Sequence, residues 1–146
     1  MTSRKHWLTD LLLLSGSVGS FYAYKLGERA LWSPGEGRYS EIAREMLASG
    51  NYLTPQLVGV SFFDKPPFFI WLETLSIKLF GLNEWALRLW PALLAVVGCL
   101  IVYIAGRKLF GRSSGVISAY VLATSGLWYG IGHLVSLDMT LSVLMS

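Results

Sequence analysis

Charged side chains that could take part in chemistry are concentrated in a few short stretches of an otherwise apolar chain. Asp64 and Lys65 adjoin in the segment DKPP, and Asp138 lies inside the apolar run VSLDMTLSVLM. The stretch WSPGEGRYSEIAREML, residues 32–47, holds five more, which are Glu36, Arg38, Glu41, Arg44 and Glu45. Carboxylates can accept a proton, and lysine and arginine can bind a phosphate. These residues are therefore the candidates for a catalytic or anion-binding site.

The elements that must position these residues are membrane helices. Of the 146 residues, 53% are hydrophobic and 14% are charged, whereas soluble domains carry about 25% charged residues. Several apolar runs approach the ~17–25 residues that cross a bilayer as a helix. The sequence therefore predicts an all-α integral membrane protein with multi-pass transmembrane helices at about 7–26, 86–106, 113–132 and from 134 onwards, and a long external loop at about 27–85.

The first apolar run is interpreted as a membrane helix rather than a cleaved signal peptide. Arg4 and Lys5 precede an apolar core, as they would in either case. However, Asp10 lies early in that core, and the bulky segment FYAYK offers no cleavage site of small residues. Asp10 is itself a functional candidate, because acids within apolar segments are costly.

Basic residues set the expected orientation, because cytoplasmic segments collect lysine and arginine. Arg4 and Lys5 lie before the first acid, and the link GRKLFGRSS carries three basic residues and no acid. Both segments are therefore predicted to be cytoplasmic. This orientation places residues 27–85 and Asp138 on the external side. The net charge of +3 follows from these basic segments, so no nucleic-acid partner is expected.

The external loop is predicted to carry two helices that lie along the membrane interface. In SEIAREMLASG, Ser40 is the candidate N-cap, and the apolar residues fall on one face. In DKPPFFIWLETLSIKLFG, the prolines force Asp64 and Lys65 into extended geometry, and Pro67 opens a short helix. Lys65 could bind a lipid phosphate there or extend its ammonium group to water, and the residues leave both interpretations open.

Two residues near the end of the sequence complete the candidates. Asp138 has apolar neighbours on both sides, and an acid in that setting is a functional candidate by default. His133 is interpreted as an interfacial residue rather than a metal ligand.

Nearly the whole chain resembles the N-terminal part of the GT-C membrane glycosyltransferases. The similarity is carried by SPGEGRYSEIAREMLASG, FFDKPPFFIWLETL and FGLNEWALRLWPALLA, followed by SLDMTLS. Within that group it is strongest to the bacterial aminoarabinose transferases that modify lipid A and to the protein O-mannosyltransferases. Members are several times longer, so residues 1–146 are expected to be the N-terminal part of a GT-C transmembrane domain.

The resemblance implies an inverting transferase that takes its sugar from a polyprenyl-phosphate donor at an external site. Lys65 would hold the donor phosphate, and Arg38 and Tyr39 would line the pocket. Asp64 matches an acidic position and is the one candidate ligand for a divalent cation. Asp138 matches an acid at the start of a later helix.

One position departs from the family pattern. Members usually have an Asp-Glu pair where this chain has Gly35 and Glu36, and the aspartate of that pair is the residue credited with catalysis. Three explanations are open. Glu36 supplies the carboxylate, which is the favoured one; or the acceptor is a phosphate, already ionised at neutral pH; or activity has been lost.

The expected function is sugar transfer to a lipid A-like acceptor in the bacterial inner membrane, with Glu36 and Asp138 as the catalytic residues. One alternative is transfer to a protein hydroxyl, which depends more on a base. The other is a non-catalytic protein that binds or transports polyprenyl lipids, although the charges cluster in one loop rather than along a path between helices.

Overall fold

The structure is a computed structural model that describes residues 3–31, 34–62 and 67–146. Asp64 and Lys65 lie outside the described residues. The predicted all-α class is confirmed, with one two-stranded antiparallel hairpin added. The elements are α1 (Ser3–Ala23), α2 (Gly35–Ser49), β1 (Gln56–Leu57), β2 (Val60–Ser61), α3 (Pro67–Phe80), α4 (Glu84–Phe110), α5 (Arg112–Thr124), α6 (Gly126–Gly132) and α7 (Leu137–Leu144).

Helix α4 has strong sequence signals at both ends. The Asn83 side chain caps it by accepting a hydrogen bond of 2.8 Å from the Ala86 amide. Glu84 suits the positive end of the helix dipole, and Arg107 and Lys108 suit the negative end. With 27 residues and a mean hydropathy of 2.2 over its most apolar window, α4 is long and apolar enough to cross a bilayer.

The other predicted spans differ from the described helices. Among the described helices, α4 alone is both long and apolar enough to cross a bilayer, so α1 is not. Helices α6 and α7 reach that apolar length only when they are taken together, across a bend of 117°. The predicted helix over 113–132 is divided into α5 and α6 at Ser125, whose backbone is extended with ψ of 131°. The glycines that follow Ser125 have low helix propensity, which favours a break at this point.

Helix α2 begins earlier than the sequence predicts. Pro34 precedes its first residue, and Glu36 lies in its first turn. Ser40 was expected to be the N-cap and is not, because it lies inside the helix. Its Oγ donates to the Glu36 carbonyl oxygen at 2.8 Å. The earlier start brings Gly35 and Glu36 into the helix and fixes the direction of both.

Helix α4 lies at the centre of the bundle and packs against α1, α3, α5, α6 and α7, while α2 packs on α3. Close packing between helices requires glycine at several positions, and two of them illustrate it. A Cβ on Gly115 would lie 2.7 Å from the Tyr103 carbonyl oxygen, and one on Gly132 would lie 2.6 Å from the Tyr22 ring. The hairpin is held to α2 by the Glu45 carboxylate, which accepts hydrogen bonds from the turn amides of Val58 and Gly59.

Asp10 forms a buried polar cluster at the C-terminal end of α4. Its carboxylate accepts hydrogen bonds from Tyr103 at 2.9 Å, Arg107 at 3.1 Å, and Arg112 at 2.8 and 2.6 Å. These contacts join α1, α4 and α5, so the burial of Asp10 has a structural explanation. The cluster is roughly 28 Å along α4 from Arg88, at 1.5 Å per residue.

Candidate active site

A cavity of about 380 Å³ joins the start of α2 to the link between α6 and α7. Two segments about a hundred residues apart form its wall, and its lining residues are Pro34, Gly35, Glu36, Tyr39, Leu134, Val135, Ser136 and Asp138. Three of the predicted site residues, Glu36, Tyr39 and Asp138, therefore line one cavity. A cavity of this size can hold part of a small-molecule substrate.

Asp138 lies in the first turn of α7, where its negative charge suits the helix dipole. Ser136 precedes the helix in extended backbone and turns the chain into it. The Asp138 side chain is exposed, and no ion pair to it occurs within the described ranges. Its carboxylate is therefore available to a group that enters the cavity.

Glu36 has a different environment, although it lines the same cavity. Its side chain is 3% exposed and pairs with Arg88, which is 1% exposed. Arg88 Nε donates to Oε1 at 3.1 Å, and Nη2 donates to Oε2 at 3.0 Å. Arg29 Nη2 adds a third contact to Oε2 at 3.3 Å. Bidentate pairs of this kind are among the strongest side-chain hydrogen bonds.

The Glu36–Arg88 pair also holds the loops around the cavity. Glu36 Oε1 accepts a hydrogen bond of 2.9 Å from the Val135 amide, three residues before Asp138. Arg88 donates to the carbonyl oxygens of Leu26 at 3.3 Å, Arg29 at 2.6 Å and Ala30 at 3.1 Å. A carboxylate with this many donors is poorly placed to accept a proton from a substrate. The geometry favours a positioning role for Glu36 over the predicted role of base.

Of the other predicted site residues, Arg38 lies in the described part of the chain, and Asp64 and Lys65 lie outside it. Arg38 is exposed on α2 and does not line the cavity. The described residues include no group of three or more His, Cys, Asp or Glu that could hold a metal ion. The divalent cation stays a prediction, since its candidate ligand Asp64 lies outside the described residues.

Gly35, the position that departs from the family pattern, lies in the cavity wall. Among the described residues outside the adjacent turn of its own helix, no atom lies within 4 Å of a Cβ built there, so the described wall leaves space for a longer side chain. Among the described residues that line this cavity, the carboxylates are thus Glu36 and Asp138, and only Asp138 is exposed.

Arg88 and Glu73 are the two important residues that sequence reasoning did not single out. Arg88 has a signal in hindsight, because it is a charged residue inside the apolar segment WALRLWPALLA. Glu73 has a weaker one, since it lies one helical turn from the apolar residues Phe69 and Ile77 in α3. It is fully buried, and both of its carboxyl oxygens lack a hydrogen-bond partner among the described residues. Burial, together with the charge of Glu36, raises the pKa of the Glu73 carboxyl well above its usual range.

Replacing Glu73 with glutamine should remove a pH dependence of stability. A raised pKa means that the folded state keeps a proton that the unfolded state loses above about pH 4.3. The bound proton therefore stabilises the folded state fully below that pH, and this stabilisation is lost as pH rises through the folded-state pKa. In that interval the free energy of unfolding falls by at most about 1.4 kcal/mol per pH unit. Unfolding of the full-length wild type and Glu73→Gln between pH 5 and 8 measures the difference.

The Glu84→Gln variant is the control for this measurement, because it makes the same substitution at an exposed glutamate of α4. A wild-type slope equal to that of Glu73→Gln would mean that Glu73 is ionised in the folded protein.

Comparison with known proteins shows where this architecture occurs. The sequence pattern of the dolichyl-phosphate-mannose-protein mannosyltransferase family matches residues 64–146. The chain is 38% identical over 127 residues to an undecaprenyl phosphate-alpha-4-amino-4-deoxy-L-arabinose arabinosyl transferase of Edwardsiella ictaluri, covering 86% of this chain and 23% of that protein. A transferase of the same name from Erwinia tasmaniensis is 38% identical over 128 residues, covering 87% and 23%.

Two crystal structures of ArnT from Cupriavidus metallidurans have the same fold. The apo structure matches with a TM-score of 0.84 at 34% identity, covering 98% of this chain and 26% of that chain. The structure bound to undecaprenyl phosphate matches with a TM-score of 0.84 at 35% identity, covering 96% and 25%. The chain thus spans about a quarter of the length of these relatives. It belongs to the dolichyl-phosphate-mannose-protein mannosyltransferase family and, with the aminoarabinose transferases, to the GT-C membrane glycosyltransferases.

Proposed function

We propose that this protein transfers a sugar, with inversion, from a polyprenyl-phosphate donor to a lipid A-like acceptor. The observation that carries the proposal is the cavity that joins Tyr39 at the start of α2 to Asp138 at the start of α7. It occurs in a fold that matches ArnT bound to undecaprenyl phosphate, and relatives are named as aminoarabinose transferases.

Each residue is given the role that its environment supports. Asp138, exposed and without an ion pair in the described part of the chain, orients the acceptor or takes its proton. Glu36 holds the Val135 amide and thereby positions the segment that carries Asp138. Tyr39 lines the pocket, and Lys65 stabilises the departing lipid phosphate. Arg38 is exposed on α2, and its proposed role is to contact the donor outside the cavity.

Few carboxylates in the described cavity wall could take a proton from the acceptor, and this supports a phosphate as the acceptor. With Gly35 in the open part of the wall and Glu36 held by two arginines, an acceptor that is already ionised has an advantage. A phosphate monoester is such an acceptor, since its second pKa is about 6. Transfer to a protein hydroxyl is the second candidate, supported by the mannosyltransferase pattern over residues 64–146.

The proposed location is the bacterial inner membrane, with the N-terminus in the cytoplasm and the cavity on the external side. The two polar clusters of the fold support this orientation. Arg107 and Arg112 bind Asp10 at one end of α4, and the cavity lies near Arg88 at the other. Lysine and arginine between short-linked helices favour the cytoplasmic side.

Replacing Lys65 with alanine should lower sugar transfer by about 10²–10³-fold, the usual cost of removing one donor to a developing anion. Membranes containing the full-length protein would be given an undecaprenyl-phosphate aminosugar with lipid A or an acceptor peptide. The matched control is Lys78→Ala, an exposed lysine of α3 that should have wild-type activity.

Near-normal transfer by Lys65→Ala would contradict the assigned role. Transfer to the peptide alone would favour the second candidate. Donor binding with no transfer to either acceptor would indicate a non-catalytic lipid-binding protein.

A further inference from the structure

A second cavity, of about 180 Å³, lies at the end of α1 and shares no lining residue with the candidate active site. It is lined by Lys25, Leu26, Arg29, Arg88, Tyr129 and His133. Arg88 borders this cavity while its partner Glu36 borders the other one, so the two cavities meet at that ion pair. The second cavity has no assigned role in sugar transfer.

The charge of the lining residues selects the class of ligand. Lys25, Arg29 and Arg88 are cationic, and no aspartate or glutamate is among the described residues that line the cavity. The acid that pairs with Lys25 is Glu28, which is 66% exposed and lies outside the lining. The N–H groups of Arg88 already donate to Glu36 and to backbone carbonyl oxygens, so Arg88 contributes only its charge to this cavity. The exposed Lys25 and Arg29 side chains can bind phosphate oxygens by charge-assisted hydrogen bonds.

His133 adds a polar atom that lacks a partner. Its Nδ1 is 2.9 Å from the Tyr129 carbonyl oxygen, which can only accept, so Nδ1 carries the proton. The ring is fixed against Tyr22 and Tyr129, at centroid distances of 5.5 and 4.1 Å. Its Nε2 is buried and has no hydrogen-bond partner in the described part of the chain. A buried polar atom without a partner destabilises the folded state. A phosphate satisfies it either way, by accepting from a protonated ring or by donating its own P–OH.

The backbone of this region is held in an unfavourable geometry. Lys25 has φ of 58°, in the left-handed region that costs a residue with a Cβ roughly 1–2 kcal/mol. The loop that follows is fixed by the hydrogen bonds from Arg88 to the carbonyl oxygens of Leu26 and Arg29. Strained residues that are held by their surroundings occur preferentially at functional sites.

We propose that this cavity is a phosphate-binding subsite beside the candidate active site. Its ligand is the phosphate of a lipid headgroup or a free phosphate ion. The subsite does not rest on the proposed function. The observations that support it, which are the cationic side chains, the unpaired His133 nitrogen and the fixed loop, do not assume that the protein transfers a sugar.

The test is phosphate binding to the full-length protein, purified in a phosphate-free maltoside detergent. Inorganic phosphate and dihexanoyl-phosphatidylglycerol would be titrated separately by calorimetry. Lys25→Asn removes the charge and keeps a residue that tolerates left-handed backbone. His133→Phe keeps the ring stack and removes both nitrogens. The matched control is Lys78→Asn, which makes the same substitution at an exposed lysine of α3.

We expect wild type and Lys78→Asn to bind with equal affinity, and Lys25→Asn and His133→Phe to bind at least about tenfold more weakly. Thermal unfolding without ligand shows that the variants are folded. Binding of the lipid alone identifies a headgroup site, and equal binding of both probes identifies a site for phosphate itself. Absence of binding, or wild-type affinity in both variants, would overturn the proposal. Loss of sugar transfer with intact phosphate binding would count only against the proposed function.

Discussion

Replacing Arg88 with alanine should destabilise the folded protein by about 3–5 kcal/mol, because breaking a buried ion pair leaves an uncompensated charge. The side chain is 1% exposed, and its donors reach both the Glu36 carboxylate and three backbone carbonyl oxygens. Arg29 remains beside Glu36, but it is half exposed and makes one longer contact of 3.3 Å. Equilibrium unfolding of the full-length protein in detergent is the measurement.

Arg44→Ala is the matched control. Arg44 pairs with Glu41 through contacts of 2.9 and 2.6 Å, but this pair lies on the surface of α2. Exposed pairs contribute about 1 kcal/mol or less, so this variant should be nearly as stable as wild type. If Arg88→Ala cost no more than Arg44→Ala, the Glu36–Arg88 pair would not be what holds the cavity loops.

Replacing Asp138 with asparagine should lower sugar transfer by about 10²-fold, because the carboxylate orients the acceptor and a misplaced acceptor reacts about that much more slowly. Asparagine keeps the size and the hydrogen-bonding oxygen, and it removes the negative charge that acts on the acceptor. Stability should change little, since the Asp138 carboxylate is exposed and forms no ion pair within the described residues. Initial rates with saturating donor, beside unfolding curves for the same samples, measure both effects.

The Glu36→Gln variant tests whether Glu36 and Asp138 have different roles in the cavity. A positioning residue should lose stability and activity together, because the neutral amide weakens its contacts with Arg88 and the Val135 amide. If Glu36→Gln lost transfer at full stability while Asp138→Asn kept it, Glu36 would be the base despite its arginine partners. If both variants kept full activity, the reaction would depend on phosphate stabilisation alone.

The missing side chain at Gly35 determines how the activity of the Asp138 variant is interpreted. Beyond the two neighbours of Gly35 in the chain, no side-chain atom of the described residues lies within 4 Å of a Cβ built there, so none of them takes the place of the missing side chain. Asp138 is then the exposed carboxylate on the described wall of the cavity. A loss of about 10²-fold on replacing Asp138 would fit an acceptor that is already ionised and needs only to be oriented, and a loss of about 10⁴-fold would indicate an acceptor that gives up a proton.

The sequence by itself determined the helical class and the central helix. Apolar length specifies α4, and local signals at Asn83 and at Arg107 specify its ends, because capping and dipole interactions involve residues within one turn. The family motifs also indicated that α2 and the region of Asp138 belong to one site. Glu36 and Asp138 do line one cavity, although residues 63–66, with Asp64 and Lys65, lie outside the described ranges.

Only the tertiary structure decided what each charged residue does. Glu36 looked like a substitute base because its partner Arg88 is 52 positions away, and no local pattern connects them. Glu73 was not singled out from the sequence, and packing of α3 against α2 and α4 buries it completely. Burial and long-range pairing depend on which faces meet in the fold, whereas caps and hydropathy depend on neighbours along the chain. For this reason the sequence indicated where the site lies, and the structure separated the residue that holds it from the residue that is free to react.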